Sequence, residues 1–247
     1  MERRLISHLA HRDHPIAAPV SGAHVTRLLR RARLPEAARI LDLGCGRAAW
    51  TLRALAMYED ATADGVDISA DALKTAEGYA EMQGVWERIR LHERPAADFP
   101  VVEHYDLVVC VGATHAFGGL AATVAHVRRH LRPNGLALIG GGFWEREPTP
   151  EALTRLNVEP SELLDLPGTV AAAESAGFDT VYASTSDLAE WDEYEWSWTG
   201  TLLRWANENP GPDAAAARAA ALEHRDTWLH GYRGILGFVT LLLQRTA

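Results

Sequence analysis

The stretch "ILDLGCG" at residues 40–46 constrains this chain more than any other. A short apolar run is stopped by glycines at 44 and 46, and a helical pattern resumes over residues 47–58. Glycines at such a strand end let the backbone turn tightly and approach a ligand closely, with helix N–H groups beyond to receive polar atoms. Asp42 brings a carboxylate to the same turn, where it suits a cationic amine and would repel a pyrophosphate. The lysine and hydroxyl of a nucleotide-triphosphate loop are missing. Asp67 ends the next apolar run at roughly the 20-residue spacing of an acidic residue that grips ribose hydroxyls. The turn therefore asks for a ligand with both an adenosine-like ribose and an amine.

The surrounding pattern alternates. Ser21 is placed to cap a helix running to about Arg33, and Ser69 to begin one carrying Leu73, Ala76, Tyr79 and Ala80. "ATADGVDIS", "RIRLHE", "YDLVVCVG" and "LALIGGGFW" supply further strands, the third apolar enough to lie in mid-sheet. Residues 115–131 space Phe117, Leu120, Val124, Val127 and Leu131 as one helix, and "RPNG" reads as a turn. Alternating strands and helices over residues 20–143 predict βαβ units and a mostly parallel sheet. Beyond a proline-broken stretch at 144–167, residues 169–176 read as a short helix and "FDTVYAS" as a strand. Asp187 and Glu190 can form a capping box for a helix to about Asn207, an alanine-rich helix follows to about His230, and "GILGFVTLLLQR" is a last strand. No internal repeat is visible, and the expectation is a single domain over 1–247, with a helical cover at 1–35 and a helical insertion at 187–231 acting as a lid over an acceptor pocket.

"ILDLGCG" followed by "GVDIS" closely resembles the class I S-adenosylmethionine-dependent methyltransferases of small-molecule type, in motif order from about residue 38 to 143. The resemblance implies a Rossmann-like, seven-stranded, mostly parallel sheet whose last strand is antiparallel, and S-adenosyl-L-methionine as cofactor, leaving S-adenosyl-L-homocysteine. It implies that Asp42, Gly44, Cys45 and Gly46 hold the methionine end, that Asp67 meets the ribose and that Ile68 lies against the adenine. Cys110, Val111 and Gly112 fall beside the methionine portion. Where the family often reads Gly-Asp-Ala this chain has Arg94, Pro95 and Ala96, so the adenine amine contact is lost at Pro95 or moved to backbone near Ala96 or to Asp98.

Ligands of open parallel sheets bind beyond the carboxyl ends of the strands. His115, three residues past Gly112, stands at that mouth among small residues and is a candidate to orient an acceptor or take its proton. In-line positioning can drive methyl transfer without a base, so orientation alone is the other reading. In "LAEWDEYEWSWTGTLLRW", Leu188, Trp191, Glu195, Trp198, Leu202 and Trp205 share one helix face. A glutamate there must be paired, neutralised or facing a ligand. Either Arg225 or Arg233 pairs with it, or it serves an amine-bearing acceptor alongside Tyr194 and Trp198. Trp144 and Glu145, just past the fifth strand, join the candidate acceptor wall. His8, His11 and His14 mimic a metal triad, but Pro15 breaks the spacing, so no metal is expected and His14 or His11 is read as touching cofactor or acceptor.

A net charge of -9 argues against wrapping nucleic acid, although Arg27, Arg30, Arg31 and Arg33, and Arg128, Arg129 and Arg132, form local basic clusters that read as solvated helix faces. No Asn-Pro-Pro-Tyr or Pro-Cys motif of nucleic-acid methylation follows the fourth strand. No apolar run is long enough to cross a bilayer, and two cysteines in apolar surroundings, with no secretory signal visible, suit a reducing cytoplasm. The expected partner is a small-molecule acceptor methylated at oxygen or nitrogen, with the protein a monomer or homodimer. The alternatives are an enzyme that puts the same cofactor to another reaction, and a non-catalytic cofactor-binding regulator.

Overall fold

A computed structural model describes residues 3–101 and 104–246. Its elements, in chain order, are α1 (Arg3–Ala10), α2 (Gly22–Ala32), β1 (Arg39–Leu43), α3 (Ala49–Met57), β2 (Thr62–Asp67), α4 (Ala70–Met82), β3 (Ile89–Glu93) and β4 (Tyr105–Val111). They continue with α5 (Leu120–His130), β5 (Leu131–Trp144), α6 (Pro150–Leu156), α7 (Leu166–Ser175), β6 (Phe178–Thr185), α8 (Leu188–Glu208), α9 (Pro212–Thr227) and β7 (Leu236–Arg245). All seven strands form one sheet in the order β3-β2-β1-β4-β5-β7-β6. The pairs β1–β2, β1–β4, β2–β3 and β4–β5 are parallel, and β6–β7 is antiparallel.

The sheet is the one the sequence predicts, and the reasons are local. Ile40, Leu41, Leu43, Leu107, Val108 and Cys110 are wholly buried, as strands covered on both faces require. Ser21 caps α2 by accepting from the His24 amide at 3.1 Å, Ser69 caps α4 through Ala72, and Asp187 caps α8 through Glu190.

Several boundaries differ from expectation. The helix expected over 115–131 is a 3-10 turn at Thr114–Phe117 followed by α5, because Gly118 and Gly119 take φ of 87° and 109° between them. "RPNG" is no separate turn: it lies within β5, whose pairing with β4 shifts register between Tyr105 and Leu107 and leaves Asn134 at φ 60°. The alanine-rich helix stops at Thr227, and a π turn covers Trp228–Tyr232. The stretch 144–167 contains α6, with Thr149 as its cap.

By its internal packing the chain divides into two compact units. One, Ser21–Gly142, Leu166–Thr185 and Phe238–Ala247, is the sheet unit. The other, Met1–Val20, Phe143–Asp165 and Ser186–Gly237, is helical. Of the two N-terminal helices, α1 belongs to the helical unit and α2 to the sheet unit. Within the helical unit Ala10, Leu202, Ala206, Ala214, Ala217 and Ala221 make a core where small side chains let α1, α8 and α9 approach closely. Asp13, held below its ordinary carboxyl range by hydrogen bonds from Arg204 and Thr201, ties the N-terminal segment to α8.

Candidate cofactor and acceptor sites

The sheet unit builds the glycine turn at the carboxyl end of β1. Gly44 has φ +81°, and a Cβ placed on it would lie 2.3 Å from the Ala113 Cβ, so both its backbone shape and its surroundings demand glycine. The Gly44 and Cys45 amides donate to the Val66 carbonyl at 2.8 and 3.0 Å, which stitches the turn to β2. The Gly46 amide donates to Asp67 at 2.8 Å and the Ser69 amide to its other oxygen at 2.9 Å. The Asp67 carboxylate is thereby fixed at the end of β2 with both oxygens oriented.

Asp42 is buried and accepts from the Thr51 hydroxyl at 2.7 Å. Burial pushes its carboxyl up to about 7, the charge on Asp67 adds to this, and the Thr51 hydrogen bond opposes it. A buried carboxylate so poorly solvated is one that a cationic ligand would stabilise. Burial, with Asp42 and Asp67 adding, also lifts the Cys45 thiol well above its usual range, and burial likewise raises Cys110. Both cysteines are neutral thiols here. Cys110 is fully enclosed in β4, so its contribution is to the floor of the strand. Val111 is buried, and Gly112 turns with φ +77°.

Ile68 is half exposed at the end of β2, an apolar side chain available to a flat ring. Ala96 is buried in a 3-10 turn, Ala96–Asp98, opened by Pro95, whereas Asp98 is exposed. This turn packs against the Thr114–Phe117 turn that carries His115. His115 is exposed and has no side-chain hydrogen bond among the described residues.

The other acceptor candidates all belong to the helical unit. Glu195 is buried, and neither expected arginine holds it: Arg225 pairs with Asp226 and Arg233 with Asp192. Its partners are His224, whose Nε2–H donates at 2.6 Å, and Tyr232, whose hydroxyl donates at 2.7 Å. Trp198 stacks on the His224 ring with centroids 3.9 Å apart. Tyr194 meets His11 Nε2 at 3.0 Å and the edge of His14, whose Nδ1–H is spent on the Ile16 carbonyl at 2.7 Å. Trp144 is buried and donates its indole N–H to the Pro160 carbonyl at 2.9 Å, and the Glu145 side chain is exposed. Among the described residues no group of three metal-binding side chains comes together, and no helix is long and apolar enough to cross a membrane.

The structure also brings together groups the sequence did not flag: Thr51 on Asp42, Ala113 against the glycine turn, and a buried pair, His126 and His130, on α5.

A Rossmann-like sheet in the order 3-2-1-4-5-7-6, with a carboxylate and glycine turn after β1 and a fixed acid after β2, defines a class of nucleoside-cofactor enzymes. The chain belongs to the class I S-adenosylmethionine-dependent methyltransferases. Residues 40–135 match the family model described as "Methyltransferase domain". The uncharacterized protein YjhP of Escherichia coli K12 is 34% identical over 85% of each chain, and its crystal structure superimposes with a TM-score of 0.89 over 97% of this chain and 99% of that one. A methyltransferase from Geobacter sulfurreducens, solved with S-adenosyl-L-homocysteine, is 28% identical with a TM-score of 0.91 over 99% and 98% of the two chains. A malonyl-[acyl-carrier protein] O-methyltransferase of Halalkalibacterium halodurans is 34% identical over 44% of this chain and 41% of its own. The chain is an enzyme of this class, and S-adenosyl-L-methionine is its cofactor.

Proposed function

We propose that the protein methylates an oxygen or nitrogen of a small, amine-bearing acceptor, with the donor held at the carboxyl ends of β1 and β2 and the residues after β4 turned to the acceptor. The carrying observation is Asp42: a buried carboxylate, lifted toward neutrality by burial, beside a glycine turn that leaves backbone open to a ligand. When bound, the cofactor supplies the electrophilic methyl on a sulfonium. Asp42, Gly44 and Gly46 would hold its methionine end, with Val111 and Gly112 adjoining. Asp67 would meet the ribose, Ile68 and Ala96 the adenine faces, and exposed Asp98 the adenine amine in place of the missing aspartate at Pro95.

His115 serves to orient the acceptor. It has no carboxylate to fix its tautomer, so positioning suits it better than proton transfer. On the helical unit Glu195 acts through His224, and Tyr194, Trp198 and His14 offer the aromatic surface that suits an amine-bearing acceptor. Trp144, the last residue of β5, and Glu145 after it are further candidates for the acceptor wall. A small-molecule acceptor needs no phosphate-binding surface, in keeping with the net charge of -9. The protein works as a monomer or homodimer in the cytoplasm, which sedimentation and cell fractionation can check.

Two measurements test this reading. Saturating S-adenosyl-L-homocysteine should raise the unfolding temperature, since a ligand that binds only the folded state must stabilise it; no shift would overturn the cofactor site. Labelled S-adenosyl-L-methionine incubated with a cell extract should pass label to a small molecule in the presence of the protein. Label only on nucleic acid or protein would sink the acceptor class.

A further inference from the structure

The pair His126 and His130 lies on the inner face of α5, within the sheet unit, and the methyl-transfer chemistry makes no use of it. Their Nε2 atoms are 3.2 Å apart, so one ring donates and the other accepts. Because the Arg129 guanidinium donates to His126 Nδ1, His126 is the neutral Nε2–H donor and His130 the neutral acceptor, and a proton added to either ring breaks one of these bonds. His130 is fully buried and its Nδ1 has no hydrogen-bond partner among the described residues. The rings continue outward on both sides. His130 packs on Phe99, centroids 5.9 Å apart, and Phe99 closes the Ala96–Asp98 turn. His126 packs on Phe117, centroids 4.7 Å apart, and Phe117 ends the turn that carries His115. One buried imidazole pair thus stands behind both the adenine rim and the acceptor-facing turn, which themselves touch.

We propose that His126 and His130 are positioning residues that hold these two turns in the cofactor-binding arrangement only while the pair is uncharged, so that cofactor affinity falls as the pair takes up a proton. This rests on the assignment of Ala96 and the 113–119 turn to the site. The charged and titratable groups around the pair favour the neutral form. Arg129 on α5 lies 2.5 Å from His126 Nδ1, and His104 adds positive potential when protonated. His92, across Phe99 on β3, is tied to Asp64 at 2.7 Å, and Tyr105 donates to the same carboxylate. Asp98, His115 and Glu174, on the other packed turns and helix, are all exposed. No carboxylate among the described residues bonds either ring. Burial first, then the His126 ring, Arg129 and His104, lowers His130 to about 4, and burial followed by Arg129 moves His126 in the same direction.

The sign follows from linkage. A histidine released from the pair takes up its proton near 6.5, whereas the paired form resists it until about 4. The paired arrangement is therefore unaffected above that window and is lost progressively as pH falls through it. Asp42 also titrates, near 7, so the pH dependence of the intact protein alone does not isolate the pair.

The experiment measures the affinity for S-adenosyl-L-homocysteine by calorimetry between pH 7.5 and 5 for the wild type, His126→Gln and His130→Gln. Glutamine keeps a donor and an acceptor without titrating. All three proteins share Asp42, so their ratio reports the pair. The ratio of variant to wild-type affinity should rise at least about fivefold from pH 7.5 to pH 5, a loss within the tenfold per pH unit that one linked proton can produce. Near-UV circular dichroism identifies a variant that fails to fold, in which case the other one decides. Parallel profiles for wild type and the folded variants would overturn the inference while leaving the cofactor site intact. Absence of binding to the wild type at pH 7.5 would instead overturn the site assignment on which it rests.

Discussion

Glu195 Oε2 accepts from His224 Nε2 at 2.6 Å across the α8–α9 pair, with Tyr232 on the other carboxylate oxygen at 2.7 Å. A buried carboxylate with both oxygens occupied is first a structural group, and this network joins α8, α9 and the π turn after it. The Tyr232 phenol is pushed far above its ordinary range, by burial first and by Glu195 next, so it stays a donor. Glu195→Ala would leave His224 and Tyr232 without their acceptor and should cost about 3 kcal/mol of stability. Glu195→Gln keeps one acceptor and should cost about half as much. Urea denaturation of both variants checks the order. A stability loss too small to measure in both would return Glu195 to the ligand-facing role.

Asp42 predicts a conflict between stability and binding. Its folded-state carboxyl near 7 lies above the ordinary 3.8, so the folded protein holds this proton more tightly than the unfolded chain does. Below about 4 both forms are protonated and nothing is lost. As pH rises from there to about 7 the fold is progressively penalised, by up to ~4 kcal/mol at the limit. Asp42→Asn removes the penalty and retains an acceptor for Thr51. The variant should therefore be more stable than wild type at pH 8, equal to it near pH 4, and at least about tenfold weaker for S-adenosyl-L-homocysteine at pH 8. Thermal melts at the two pH values and calorimetry at the higher one read out all three.

The glycine turn offers a steric test. Gly44→Ala meets both a left-handed backbone and a side chain 2.3 Å away on Ala113, and should lose cofactor binding together with about 2 kcal/mol or more of stability. Adding Ala113→Gly removes the clash and leaves the backbone strain. The double variant should recover part of the stability. Full recovery would show that φ at Gly44 costs little, and no recovery would show that the clash relaxes by itself.

What could be read in the sequence was local. Asp42, Gly44 and Asp67 announce themselves by position relative to apolar runs, and the burial of β1 and β4 follows from their composition. The spacing over 115–131 does not locate the helix start, because Phe117 fits the three- and four-residue steps and only the backbone of Gly118 and Gly119 reveals the break. The sequence marks Glu195 as a group that must be satisfied, but its partner is 29 residues away on another helix, where nothing in the spacing selects His224 over Arg225. His126 and His130 were hidden beside Arg128 and Arg129, in a run that reads as a solvated face. Arg132, counted with the same solvated run, instead pairs with buried Asp106. Partners set by packing between distant segments leave no periodic trace.

His115 separates an acceptor role from a cofactor role. It is exposed, its turn is bounded by Gly112 and Gly118 at positive φ, and no described side chain fixes its ring. Removing the ring should therefore leave the fold and the donor site alone: His115→Ala should keep its melting temperature within about 2 °C and its S-adenosyl-L-homocysteine affinity within about twofold, as surface substitutions do. If the ring orients the acceptor, turnover on the identified acceptor should fall about tenfold or more, and the loss should be similar at pH 6.5 and 8.5. A loss confined to low pH in wild type and absent from His115→Gln would mean that the imidazole takes the proton instead, because a base stops working once protonated whereas a hydrogen-bonding guide is replaced by the amide. Equal loss of cofactor affinity would place His115 in the donor site.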